Sequence, residues 1–101
     1  MMKLDLLNWY EFGVVTAPSI RTVFEEKPYP GVDAIAHYLE SWPAHLVAPG
    51  VGIDALTGKQ VMHMQEIRND GEYAWSSMLP YYVKKYNMRL PREFEQKVLA
   101  H

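Results

Sequence analysis

"NDGEYAWSSMLPYYVKKYN", residues 69–87, is the stretch whose reading decides the fold. It sets Asp70-Gly71 between two alternating runs and then places five aromatic residues, Tyr73, Trp75, Tyr81, Tyr82 and Tyr86, in quick succession. Asp-Gly in that position signals a hairpin, because the glycine accepts the positive φ that a tight turn requires. After Trp75 the apolar period lengthens from strand to helix. Leu79, Tyr82, Val83 and Tyr86 fall on one helical stripe, with Pro80 in the first turn, where its missing N–H costs little. Ser76 or Ser77 is suited to cap this helix, and Asn87 to end it.

The five aromatics pose a choice between a ligand box and a closed core. Trp75 at the hairpin's end, with Tyr82 and Tyr86 on the stripe, already has a structural place. Tyr73 and Tyr81 are left for the surface, Tyr81 beside Lys84 and Lys85. The expectation is core closure.

Outward from this stretch, the middle of the chain reads as strands. "HLVAPG", "VGIDALTGKQ" and "VMHMQEIRNDGEYAW" are separated by Pro49-Gly50, Thr57-Gly58 and the Asp-Gly turn. Over 61–67, Val61, His63, Gln65 and Ile67 share one strand face. On the C-terminal side, Leu90, Phe94 and Val98 recur at four-residue steps in a last helix. On the N-terminal side, "VDAIAHYLESW" puts Val32, Ile35, Ala36 and Leu39 on one helical face. "KLDLLNWYEFG" spaces Leu4, Leu7 and Tyr10 as a further helix ending at Gly13. Residues 19–26 read as a short helix capped by Ser19, with a strand as the competing reading because Ile20, Thr22 and Phe24 also alternate. The fold expected is α+β: one domain over 1–101, with a small antiparallel sheet of three or four strands from residues 44–75 under helices from both ends.

Composition narrows the chemistry. The absence of cysteine excludes disulfides, thiolate metal sites and thiol nucleophiles. No apolar run matches the about 7–15 residues of a signal peptide or the ~20 of a membrane span, so a cytoplasmic, membrane-free protein is expected. Residues 1–80 carry five Lys/Arg against ten Asp/Glu, and residues 81–101 five against two. That basic end, with Lys84, Lys85, Arg89, Arg92 and Tyr81, is the candidate nucleic-acid surface. The overall charge of −2 and the lack of any helix-turn-helix or zinc-finger pattern argue against it.

Metal and catalytic patterns are sparse. His37 and Glu40 stand three apart on a helix, but no second pair completes a site, so no metal and no cofactor are expected. "PGVG" lacks the Lys-Ser/Thr of a phosphate loop, and Ser76-Ser77 lack a nucleophile elbow. An enzyme would have to gather Asp54, His63 and Glu66 into a pocket on the sheet.

"DGEYAWSSMLPYYVKKYNMRLPREFEQKV", with "EKPYPGVDAIAHYLESW" and "DALTGK", resembles small, uncharacterised bacterial proteins that share Asp-Gly-x-aromatic-x-Trp, a Tyr-Tyr-Val helix and Leu-Pro-x-x-Phe. The resemblance implies turn, cap and core positions and no activity; a looser likeness runs to immunity-type proteins. The functional expectation is a non-enzymatic, cytosolic module that binds another protein, in a role of the immunity or accessory type. Tyr73, Tyr81, Lys84 and Lys85 are its candidate contacts.

Overall fold

The structure, a computed structural model, describes residues 2–48 and 50–100. Its frame is the hairpin of residues 65–76. Strands β4 (Gln65–Asn69) and β5 (Ala74–Ser76) pair antiparallel, with Asn69 opposite Ala74 and Ile67 opposite Ser76. The turn between them is tied by its own side chains. Asp70 Oδ1 accepts from the Glu72 and Tyr73 amides at 2.9 and 2.7 Å, Asn69 Oδ1 accepts from Gly71 N at 3.1 Å, and Gly71 takes φ 93°.

Strand β1 (Ala44–Ala48) lies on the other side of β4, giving the antiparallel order β1-β4-β5. A register shift between Ala44 and Leu46 marks a bulge at His45. Strands β2 (Gly52–Ile53) and β3 (Gln60–Met62) form a separate two-stranded ribbon. Gly52 is required there by close approach, since a Cβ would collide with the Met62 side chain and stand 2.7 Å from Met78 Sδ. The continuous strand expected over 61–67 is therefore two strands. The chain bends at His63-Met64 so that β3 serves the ribbon and β4 the main sheet. Gln65 and Ile67 do keep a common face, but Val61 lies in the ribbon and His63 in the bend between the two strands.

Three helices cover this frame: α1 (Val32–Ser41), α2 (Leu79–Tyr86) and α3 (Arg92–Leu99). Val32, Ile35, Ala36 and Leu39 of α1 are buried as the stripe predicts, and so are Leu90, Phe94 and Val98 at and along α3. Pro80 sits in the first turn of α2, and Asn87 ends it in the left-handed region at φ 53°. At the centre Trp75 is fully buried, its Nε1 donating to Leu39 O at 3.0 Å, which joins the sheet to α1.

The N-terminal segment departs from expectation. Instead of one helix it makes two single 3-10 turns, Asp5–Leu7 and Tyr10–Phe12. The stripe of Leu4 and Tyr10 is exposed, and Leu6 and Trp9 are buried in its place. The cause is tertiary: Lys3 N donates to Glu72 O at 2.6 Å and Ala74 N to Lys3 O at 3.1 Å, so the segment must run extended along the outer edge of β5 before it folds over. Residues 19–26 combine both readings. Ser19 caps a 3-10 turn over Ile20–Val23, and Phe24 then runs extended against Met88.

The radius of gyration, 12.8 Å, is that of one folded unit of this length, about 13 Å. Among the described residues no helix is long and apolar enough to cross a membrane.

Candidate functional site

The tyrosines of α2 act as a latch. Asp54 lies at the start of the loop joining β2 to β3 and is fully buried. Its Oδ1 accepts from the Leu56 and Thr57 amides at 2.7 and 3.2 Å; its Oδ2 accepts from the hydroxyls of Tyr81 and Tyr86 at 2.6 and 2.7 Å. Tyr82 OH accepts from Ala55 N at 2.9 Å, so three tyrosine hydroxyls pin one loop to one helix. Lys85 Nζ lies 4.0 Å from the same Asp54 oxygen and over the rings of Tyr81 and Tyr86.

Burial alone would raise the Asp54 carboxyl, but the hydrogen bonds from Tyr81, Tyr86 and the two amides outweigh it and hold it below the ordinary value. Burial, followed by the bond to that carboxylate, pushes the Tyr86 hydroxyl up to about 12. A carboxylate whose two oxygens are both occupied by protein donors is an anchor. It has no lone pair free to serve as a general base without breaking the latch.

The residues expected to carry binding are distributed otherwise than the sequence suggested. Tyr73 was placed on the surface; it is 2% exposed, its ring edge-on to Phe94 at 5.0 Å, with Lys3 and Lys97 over its faces. Tyr81 was expected to point outward; it is half-buried with its hydroxyl on Asp54. Lys84 and Lys85 are exposed, Lys84 paired with Glu40 at 3.0 Å. The opening aromatics therefore close a core and a latch, and none of their rings forms an open box.

Nor does the structure gather the alternative pocket. Asp54 is buried against α2, His63 is exposed at the bend, and Glu66 on β4 turns to Arg68 at 3.5 Å. No group of three or more His, Asp or Glu among the described residues is placed to hold a metal.

What sequence reasoning passed over is β1. Its one hydrogen-bonded neighbour is β4, and no backbone hydrogen bond among the described residues reaches its outer edge. The opposite edge of the sheet, by contrast, is covered by the N-terminal segment at Lys3. Ala44, His45, Leu46 and Val47 are all exposed, Leu46 at 61% and Val47 at 62%, so neither face of the strand is covered. The signal was present in "PAHLVAP": apolar residues on both parities with no charge between two prolines. A strand buried on one side alternates. One that is apolar on both parities, short and uncharged is either central in a sheet or an edge awaiting cover.

The basic C-terminal end is neutralised internally. Arg89 clasps Glu95 at 2.7 Å, Lys97 reaches Asp70 and Glu72 at 2.8 Å each, and Lys84 and Lys85 face Glu40 and Asp54. Of the five cations beyond residue 80, Arg92 is the one without an acidic partner among the described residues. No protein-family model, no curated protein and no solved structure matches the chain.

Proposed function

We propose that the protein is a non-enzymatic binding module of the cytosol, and that its partner is another protein whose extended segment adds to the sheet beside β1. The observation that carries this reading is the open outer edge of an uncharged strand with Leu46 and Val47 more than half exposed. Main-chain hydrogen bonds along such an edge supply affinity, and side chains lying over the two uncovered faces supply selectivity. The bulge at His45 and the prolines at 43 and 49 keep the free run short, which suits one defined segment and discourages open-ended stacking. The acidic balance of residues 1–80 favours a partner with a basic patch, whose approach would be faster at low salt. An accessory role of the immunity kind is the form of this reading that the resemblance supports.

A photoreactive residue in place of Val47, introduced in the native cell, tests it. Cross-linking to one defined partner protein is expected, lost when Leu46→Lys is added. Because Leu46 is exposed, that substitution should change stability by no more than about 0.5 kcal/mol. Cross-links to nucleic acid alone, or a partner retained undiminished in Leu46→Lys, would reject the edge as the contact.

A further inference from the structure

Over the sheet face that carries Gln65, Ile67 and Ser76 lies a half-enclosed cleft of about 560 Å³. Its walls come from four parts of the chain: the N-terminal turns, β2, the β4–β5 hairpin and α2. None of its lining residues belongs to β1. Size and shape fall in the range of small-molecule sites, roughly 300–1,000 Å³. Eight of the twelve lining residues are apolar, among them Phe12, Val14, Ile53, Ile67 and Met78.

The four polar residues of the wall, Glu11, Gln65, Ser76 and Tyr82, define the chemistry it takes. Ser76 and Tyr82 are more than nine-tenths buried. Each hydroxyl oxygen accepts one backbone hydrogen bond, Ser76 from Met78 N at 3.0 Å and Tyr82 from Ala55 N at 2.9 Å. Neither hydroxyl proton has an acceptor among the described residues. A buried hydroxyl that accepts but does not donate forgoes part of its hydrogen-bonding capacity, and a ligand acceptor would restore it. Gln65, also on the wall, donates its Nε2 to Val51 O at 2.9 Å, which leaves its Oε1 without a donor among the described residues. Glu11 accepts from Ser19 Oγ and Ile20 N, which fixes its negative charge on the rim. That charge repels anions, which removes fatty acids and other carboxylates.

We infer that the cleft is a binding site for a small, uncharged, mainly apolar molecule carrying a carbonyl oxygen, which the Ser76 and Tyr82 hydroxyls receive. The apolar body lies along Phe12, Ile53 and Ile67, and the carbonyl points toward the β5–α2 corner. This site is independent of the β1 edge, and neither requires the other.

The probe is 6-propionyl-2-(dimethylamino)naphthalene, a neutral aryl ketone whose emission moves to the blue in apolar surroundings, titrated into the intact protein. A blue shift saturating at one equivalent is expected. The ketone-free analogue, 2-(dimethylamino)naphthalene, should bind at least fivefold more weakly, a comparison that leaves the protein unaltered. Ala55 is exposed at the rim, so Ala55→Trp should fill the entrance and weaken the ketone at least tenfold while the near-ultraviolet circular dichroism stays native in form. Absence of saturable binding, equal affinity for the two naphthalenes, or undiminished binding in a folded Ala55→Trp protein would each overturn the assignment.

Discussion

Tyr81 illustrates what a single residue can and cannot disclose. Its place on α2, off the apolar stripe and beside two lysines, reads as surface. The acceptor that draws it inward, Asp54, is 27 residues away, and the second donor to that acceptor, Tyr86, stands 32 residues from Asp54. Nothing local to "DALTGK" or to "YYVKKY" declares the bond, because each segment is self-consistent as a solvated turn and an amphipathic helix. Trp75, by contrast, was legible as core, since its position at the end of an alternating run that meets a helix leaves no exposed site for so large a ring. The two therefore separate in experiment. Trp75→Ala removes a fully buried side chain and its bond to Leu39 O, and should cost about 3–5 kcal/mol. Tyr81→Phe keeps the ring and deletes one bond to a buried carboxylate, and should cost about 1–2 kcal/mol, where a surface tyrosine would cost almost nothing. Urea melts of the two variants decide it; a Tyr81→Phe curve superimposed on wild type would mean that the latch does not stabilise the fold.

At the scale of elements, legibility followed locality. The α1, α2 and α3 stripes and the Asp70-Gly71 turn were readable because a 3.6-residue period, a proline in a first turn and a turn glycine all act within a few residues. The N-terminal turns and the break at His63-Met64 were not, because backbone pairing with distant strands overrides local period in both. The hairpin is also joined to α3 in a way no local pattern announces. Lys97 Nζ reaches Asp70 Oδ2 and Glu72 Oε1, and Tyr38 OH donates to the same Asp70 oxygen at 2.6 Å. Burial alone would raise the Asp70 carboxyl, yet these bonds and two turn amides outweigh it and hold it at about 2, against an ordinary 3.8. A carboxyl depressed in the folded state contributes stability that is complete above its unfolded value and is lost as pH falls through the folded value. The window is therefore from about pH 4 down to about pH 2, and the contribution is roughly 2 kcal/mol. Lys97→Met should remove about 1–2 kcal/mol of it at neutral pH and leave a smaller loss in acid, so that the two proteins converge in stability as pH falls through the window. Stability measured by urea from pH 7 to pH 2 tests this; wild type and variant running parallel through the window would show that the clasp is not coupled to folding.

The whole molecule reverses an impression that the linear sequence creates. Along the chain an acidic four-fifths is followed by a basic fifth, as in a protein with a cationic tail for nucleic acid. In space that tail lies against the acidic body, and the ion pairs at Glu40, Asp54, Asp70, Glu72 and Glu95 take up four of its five cations. Sequence shows the charge count, whereas the fold decides the field, and pairing at 2.7–3.0 Å leaves little positive potential to project. A phosphate backbone gains affinity by releasing counterions to unpaired cations, with log K falling by about 0.9 per contact for each tenfold rise in salt. Within the tail one exposed Arg92 supplies at most a single such contact, and the other exposed cations without an ion pair among the described residues, Arg21, Lys27 and Lys59, are spread through the acidic residues 1–80. The protein should therefore pass through a heparin column without retention at low salt, and DNA fragments should not shift it in a gel. Opening the pairs ought to change that. Glu40→Gln frees Lys84, exposed on α2, and should produce weak retention that disappears as salt is raised. Firm binding by wild type, with a slope of several contacts, would mean that the pairs yield to phosphate, and the charge argument against nucleic acid would fail with them.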